Sequence, residues 1–316
     1  MNNTFLTVVI ATQNSYELRM LQTLLKHLSP ILTQNFRDYE IVVVNNTSEQ
    51  LPQAEIKTLP EDFRQHIYFL QLSTPVLNNH AILAGLDRSN GDYTIIFEYD
   101  FINNPEVILE LYNKSQAQYD IVYCKANSRN ARGERFFYNI FYFILHKYSD
   151  LQVDKWAHNT RIISRRALNS LLRLRENLRY MKAIYSIVGY KKAYISVEEP
   201  LSNKENESFS DRFGTSMVAI TSFTNFLNNI LLWIFLFSVV FTSVVIFNAL
   251  KVKFTNFDIF GDYNPAISGW AFLVVIMSIF FATTCLTLYL MSIYLSNIYN
   301  EIKQRPLYII ESTKKI

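Results

Sequence analysis

Apolar and polar positions alternate along the chain in two regimes. Short β-branched runs separated by helical patterns come first, and two long apolar stretches follow. Thr7–Ala11, Glu40–Val44, Ile67–Leu72, Tyr93–Phe97, Tyr119–Cys124 and Tyr190–Val197 carry the Val, Ile, Tyr and Phe content expected of strands. Leu18, Leu21, Leu24, Leu25 and Leu28 recur at helical spacing, and Asn79–Ser89 reads as a short helix ahead of Gly91 and Asp92. Strands alternating with helices predict an α/β domain on a mostly parallel sheet, with ligands at the carboxyl ends of the strands.

Gly214–Leu250 and Tyr263–Asn300 contain no Asp, Glu, Lys or Arg. Each exceeds the about 20 residues needed to cross a hydrocarbon core, so transmembrane helices are expected at 226–249 and 269–294. The other reading, two buried helices of a soluble protein, sits poorly with runs of that length that have no charged face. The expected plan is a catalytic-type domain over 1–200, a juxtamembrane segment over 201–225, a linker over 250–268 and a basic tail over 295–316. Phe209–Phe226 fits an amphipathic approach along the interface.

Composition and charge narrow the picture. The chain has 316 residues, half of them hydrophobic, and a net charge of +3. Its basic residues form no stripe interleaved with aromatics, so a nucleic-acid partner is not expected. Phe5–Ala11 is too short and lacks the basic flank of a secretion signal, so the first domain is expected to stay where it is made. Lys303, Arg305, Lys314 and Lys315 in the tail, set against the mixed linker of Lys251, Lys253, Asp258 and Asp262, orient both ends to the cytoplasmic side. Two isolated spans leave apolar faces open to self-association into a homo-oligomer. Cys124 and Cys285 lie in different regions and no Cys/His spacing suggests zinc. Between Ala131 and Arg179, Arg and Lys alternate with Phe, Tyr and Trp. That mixture suits an anionic membrane surface, or equally a helix packed on the sheet with its basic side chains snorkelling.

The candidate chemistry lies in Asp92-Tyr-Thr-Ile-Ile-Phe-Glu-Tyr-Asp100, a strand that ends in two carboxylates, Glu98 and Asp100. Side chains two apart on an extended chain point the same way, so the pair is placed to hold Mg²⁺ or Mn²⁺ through hard oxygen ligands. A solvated acidic strand end is the alternative reading of the same residues.

In order along the chain, several segments resemble family 2 glycosyltransferases. Ile10-Ala-Thr-Gln-Asn-Ser15 is similar to that family's first nucleotide-binding loop, and Ile41-Val-Val-Val-Asn-Asn-Thr-Ser48 to its second. Ala81-Ile-Leu-Ala-Gly-Leu-Asp-Arg-Ser-Asn-Gly-Asp-Tyr93 with Glu98 and Asp100 resembles the approach to its Asp-x-Asp metal motif. Arg161-Ile-Ile-Ser-Arg-Arg166 looks like the segment after its acceptor region. Ile298-Tyr-Asn-Glu-Ile-Lys-Gln-Arg-Pro-Leu-Tyr-Ile309 looks like the juxtamembrane ending of the branch with two carboxy-terminal spans. The resemblance implies a GT-A fold, a nucleotide-sugar donor, a divalent cation, inversion at the anomeric carbon and a polyprenyl (undecaprenyl) phosphate acceptor at the bacterial inner membrane.

Carried over position by position, the resemblance implies donor binding by Thr12, Asn14, Ser15, Asn45, Asn46 and Glu98, and metal binding by Glu98 and Asp100. It implies acceptor binding by Asn159, Arg161 and Ser208, with Asp100 and Arg161 central to catalysis. Arg161 is read either as a phosphate fork or as a structural arginine. Asn45, Asn46 and Asn159 stand where the family has Asp, Ser15 where it has Glu, and Glu98 where it has the first Asp of the metal motif. The loop Asn203–Ser210 keeps only Ser208 of the family pattern. These departures leave three readings open: transfer to polyprenyl phosphate, a donor- or lipid-binding scaffold without catalysis, and transfer to a lipid-linked saccharide.

Overall fold

The structure is a computed structural model describing residues 1–49, 56–125, 132–149, 154, 156–174, 185–186, 189–197, 216, 220, 224, 226–263, 270–302 and 306–315. The elements are β1 (Asn2–Thr12), α1 (Ser15–Asn35), β2 (Phe36–Asn45), α2 (Glu61–Arg64), β3 (Ile67–Leu72), α3 (Asn78–Arg88) and β4 (Tyr93–Ile96). They continue with α4 (Val107–Ser115), β5 (Ile121–Lys125), α5 (Arg132–Tyr148), β6 (Ala157–Ser164), α6 (Arg165–Arg173) and β7 (Lys192–Ser196). Two long helices, α7 (Phe226–Thr255) and α8 (Trp270–Ile302), precede a last strand, β8 (Ile310–Lys315).

One sheet holds all eight strands in the order β7-β5-β6-β4-β1-β2-β3-β8. β3, β2, β1 and β4 run parallel, β6 is antiparallel to both β4 and β5, and β8 is antiparallel to β3. Alternation along the central strands divides the core into two layers. Leu6, Val8, Ile10, Ile41, Val43 and Ile95 face the leucine stripe of α1 and the apolar face of α4. Val9, Val42, Val44 and Ile96 face α3 and α6. Gly85 of α3 lets that helix approach closely, since a Cβ there would collide with Val9 Cγ1.

From β1 the chain winds outward through β2 and β3, then crosses back over to place β4 on the other side of β1. The order therefore reverses at β1, and a crevice opens beyond the carboxyl ends of β1 and β4, where open α/β sheets bind ligands.

Two strands differ from the sequence reading. β6 was expected only as a motif, because its first half, Ala157-His-Asn-Thr-Arg161, is polar and lacks a strand signature. β8 falls in what reads as a basic tail; Ile-Glu-Ser-Thr-Lys-Lys has almost no apolar alternation, which suits an exposed edge strand.

α7 has 30 residues and α8 has 33, about 45 and 50 Å long at 1.5 Å per residue. They pack against each other, with Phe241 and Phe280 rings 6.2 Å apart. They expose Trp233, Phe237, Phe281 and Leu295. Among the described residues, one stretch, Ile279–Ser296, is long and apolar enough to cross a membrane, and Asn229–Phe241 is a shorter apolar run. Phe141, Tyr142, Ile144 and Leu145 of α5 pack at the base of this pair against Ile230, Ile234, Leu290 and Ile293.

Candidate active site

β4 delivers its acidic pair through a turn. Glu98 is still extended, at φ −103° and ψ 156°, but Tyr99–Phe101 closes into a 3₁₀ turn and carries Asp100 with it. The two carboxylates converge because of this turn, and not through the strand pleat expected from the sequence. Tyr99 is buried, its hydroxyl 3.0 Å from Thr12 Oγ1, so the acidic turn is tied to the end of β1. Burial pushes the Tyr99 hydroxyl's pKa above its usual value, keeping it neutral.

β6 runs antiparallel past this point and contributes its first residues. Asn159 Nδ2 donates to Glu98 Oε1 at 2.9 Å, and the Glu98 N–H donates to Thr160 Oγ1 at 3.2 Å. His158 Nε2 lies 3.1 Å from Asp100 Oδ2 and 3.6 Å from Glu98 Oε2. The Thr160 N–H donates to His158 Nδ1 at 3.0 Å. Nδ1 is therefore an acceptor, so the proton of a neutral imidazole sits on Nε2, facing the carboxylates.

Ligand-type atoms of Glu98, Asp100 and His158 lie within 4.8 Å of one another. The tautomer makes His158 a hydrogen-bond donor to the acidic pair and leaves Nε2 no lone pair for a metal. Two carboxylate groups remain as cation ligands, a donor set that fits a hard ion such as Mg²⁺ or Mn²⁺.

Arg161 stands directly behind. It is 2% exposed, its Nε donates to Asn159 O at 3.0 Å, and its Nη2 to His158 O at 2.6 Å. Its guanidinium lies 3.8 Å over the Tyr185 ring. Burial pushes the Arg161 pKa down, against the pull of Tyr185 and Glu98. Of the two readings of Arg161, phosphate fork or structural arginine, this geometry fits the second: the guanidinium pins the two carbonyls of the segment that carries His158 and Asn159. Asp154 fixes the entry to β6 by accepting from the Trp156 N–H at 2.9 Å and pairing with Lys125 Nζ at 3.0 Å. Burial raises the Asp154 pKa, but the Trp156 N–H, Lys125 and Tyr123 outweigh it and leave the carboxyl below its usual range.

At the ends of β1 and β2 the sequence-expected donor residues form a closed network. Asn14 caps α1, its Oδ1 accepting from the Glu17 N–H at 2.9 Å, while Glu17 Oε2 accepts from the Gln13 N–H at 2.8 Å. Ser15 Oγ donates to Glu49 at 2.5 Å. Asn45 Nδ2 donates to Gln71 Oε1 at 2.7 Å and to Glu49 O at 2.8 Å, while its Oδ1 accepts from the Thr47 N–H and hydroxyl. Asn46 Nδ2 donates to Gln13 Oε1 and Val76 O, both at 2.7 Å, and its Oδ1 accepts from the Val76 N–H. The amides at the two family Asp positions are therefore committed internally. Gln13 Nε2 is left buried with no partner among the described residues. Ser208 lies outside the described residues.

His158, Thr160, Tyr99 and Gln71 were not anticipated. His158 reaches Asp100 across 58 residues through the antiparallel register of β6 on β4, and no local pattern carries that information.

The strand order β3-β2-β1-β4-β6-β5, the antiparallel β6 and an acidic turn after β4 define a GT-A glycosyltransferase domain. Residues 7–172 match glycosyl transferase family 2, and the chain belongs to that family. It is 26% identical over 311 residues to an uncharacterized glycosyltransferase of Synechocystis sp., covering 96% of this chain and 94% of that one. It is 27% identical over 283 residues to a prophage bactoprenol glucosyl transferase homolog of Escherichia coli, covering 88% and 90%. Among solved structures, a glucosyl-3-phosphoglycerate synthase from Mycobacterium tuberculosis in complex with Mn²⁺, UDP and phosphoglyceric acid aligns at 14% identity with a TM-score of 0.45. That alignment covers 69% of this chain and 76% of the other.

Proposed function

We propose that this chain transfers a sugar from a nucleotide-sugar donor to a polyprenyl phosphate at the cytoplasmic leaflet of a bacterial inner membrane, for cell-envelope glycan synthesis. The observation that carries the proposal is the Glu98–Asp100 pair held at the sheet's reversal point by Asn159, Thr160 and His158. Similarity to a bactoprenol glucosyl transferase homolog along most of both chains supports the acceptor class.

Glu98 and Asp100 would hold Mg²⁺ or Mn²⁺, whose charge offsets that developing on the departing diphosphate. His158 orients Asp100 by donating from Nε2, and Asn159 orients Glu98 in the same way. A phosphate monoester is largely anionic near neutral pH, its second pKa being about 6, so the acceptor oxygen needs little help from a general base. That oxygen attacks the anomeric carbon in line. The new carbon–oxygen bond forms as the bond to the diphosphate breaks, inverting the centre and releasing nucleoside diphosphate. Arg161 acts as a positioning residue beneath His158 and Asn159. The buried Nε2 of Gln13 offers a donor for which a nucleotide carbonyl is a fitting partner.

The domain is taken to occupy 1–200 together with the returning strand β8, with helices crossing at 226–249 and 269–294 and both ends cytoplasmic. β8 supports this reading: it joins the sheet formed by β1–β7, so α7 and α8 between them leave and return on one side.

The test is incubation of full-length protein in lipid nanodiscs with Mn²⁺, a panel of radiolabelled nucleotide sugars and undecaprenyl phosphate. A labelled lipid that is absent with Asp100→Asn is expected. The neutral amides of Asn45 and Asn46, where the family carries carboxylates, favour a second reading, a donor- or lipid-binding scaffold without turnover. Nucleotide binding with no nucleoside diphosphate release from any donor would select it, and label on a preformed lipid saccharide alone would redirect the acceptor.

A further inference from the structure

β3 ends the parallel half of the sheet, and β8 covers its free edge. The chain reaches that edge after both long helices and is fastened on arrival. The Ser73 N–H donates to Ile309 O at 2.9 Å, and the Tyr308 hydroxyl donates to the Asp87 carboxylate. Pairing then runs from Ile310 opposite Leu72 to Lys315 opposite Tyr68.

One residue of β3 links this edge to the crevice. Gln71 is registered with Asn45 of β2 on one side and with Ser312 of β8 on the other. Its side chain leaves the strand and holds the turn after β2, with Oε1 accepting from Asn45 Nδ2 at 2.7 Å and Nε2 donating to Thr47 O at 3.1 Å. Asn45 in turn closes the bend by accepting from Thr47, and Glu49 at its end accepts from Ser15.

We propose that β8 braces the Asn45–Glu49 turn through Gln71, so that the segment leaving α8 sets the nucleotide end of the crevice. The proposal rests on reading that turn as part of the donor site. Without β8, β3 becomes an edge strand whose last residues fray, and a frayed Gln71 no longer orients the Asn45 amide. A strand that merely capped the edge would protect the sheet generally and would not single out one turn.

The test uses full-length protein in nanodiscs, a form lacking 309–316, Gln71→Ala, and the two combined. Amide hydrogen exchange is followed at Asn45–Glu49 with Val8–Ile10 as reference, together with the Kd of UDP, GDP and ADP in Mn²⁺. Truncation should speed exchange in the turn by about tenfold and leave Val8–Ile10 unchanged, and should weaken nucleotide by about tenfold. Because both changes act through one link, the combined variant should be no worse than the worse single change. Unchanged exchange in the turn, an equal rise at Val8–Ile10, or multiplying effects in the combined variant would each overturn the brace. Parent protein that binds nucleotide no better than its truncated form overturns the brace alone; parent protein that binds none of the three takes the donor reading down with it.

Discussion

His158 owes its direction to the backbone. Because the Thr160 N–H occupies Nδ1, the imidazole turns its other nitrogen, with its proton, toward Asp100 and Glu98. The roles of the neighbouring side chains follow from this. Asp100→Asn keeps the shape of the turn but removes one of the two carboxylate charges that, on the proposed function, hold the cation. Turnover should fall by about 10²–10³-fold with little loss of stability, read by labelled-lipid formation beside a thermal melt. Asn159→Ala frees Glu98 Oε1 without removing any carboxylate. The Mn²⁺ concentration giving half-maximal activity should rise by about tenfold while activity at saturating metal recovers. Arg161 separates from both. Its hydrogen bonds go to main-chain carbonyls in a buried site, so Arg161→Lys should destabilise the fold by roughly 2–3 kcal/mol, measured by chemical denaturation. A phosphate ligand would instead lose acceptor affinity at unchanged stability.

At the scale of elements, legibility tracked burial. β1, β2, β3 and β4 are covered on both faces, so their sequences are near-continuous apolar runs and could be read directly. The acidic pair was legible for the same reason, because it ends abruptly one of those runs. β6 and β8 were not: the first half of β6 is chosen for the site it lines, and β8 is an exposed edge. The Asn45 and Asn46 network was hidden too, since Gln71 and Val76 are distant in sequence and meet those amides only through the parallel register.

Element joints also carry the pH response. Asp120, at the start of β5, accepts from Ser164 Oγ at 2.7 Å and from Arg166 at 2.5 and 2.8 Å. Burial raises its pKa, but Arg166 and Ser164 win and hold it below the usual carboxylate range. A depressed folded pKa stabilises the fold above the unfolded value of about 4 and loses that contribution as pH falls further. Asp120→Asn should therefore lower the Tm at pH 7, and the gap to the parent should close as melts are repeated below about pH 4.

For the whole molecule, the sheet constrains the helices. α7 and α8 lie in sequence between β7 and β8, and both strands belong to one sheet. Any barrier the helices cross must therefore be crossed an even number of times. One crossing by Ile279–Ser296 alone would strand β8 on the far side from β3. For the two described helices taken alone, the arrangement leaves two possibilities: both span, or neither does and their exposed Phe, Leu and Trp side chains lie along a surface. Phe260, in the connection between them, is 90% exposed and distinguishes these cases. With two crossings, Phe260→Cys should react with a membrane-impermeant maleimide on intact spheroplasts, whereas Glu311→Cys should react only after the membrane is opened. If Phe260→Cys also waits for permeabilisation, the helices do not cross; if Glu311→Cys reacts from outside, the sheet that β8 belongs to does not face the cytoplasm.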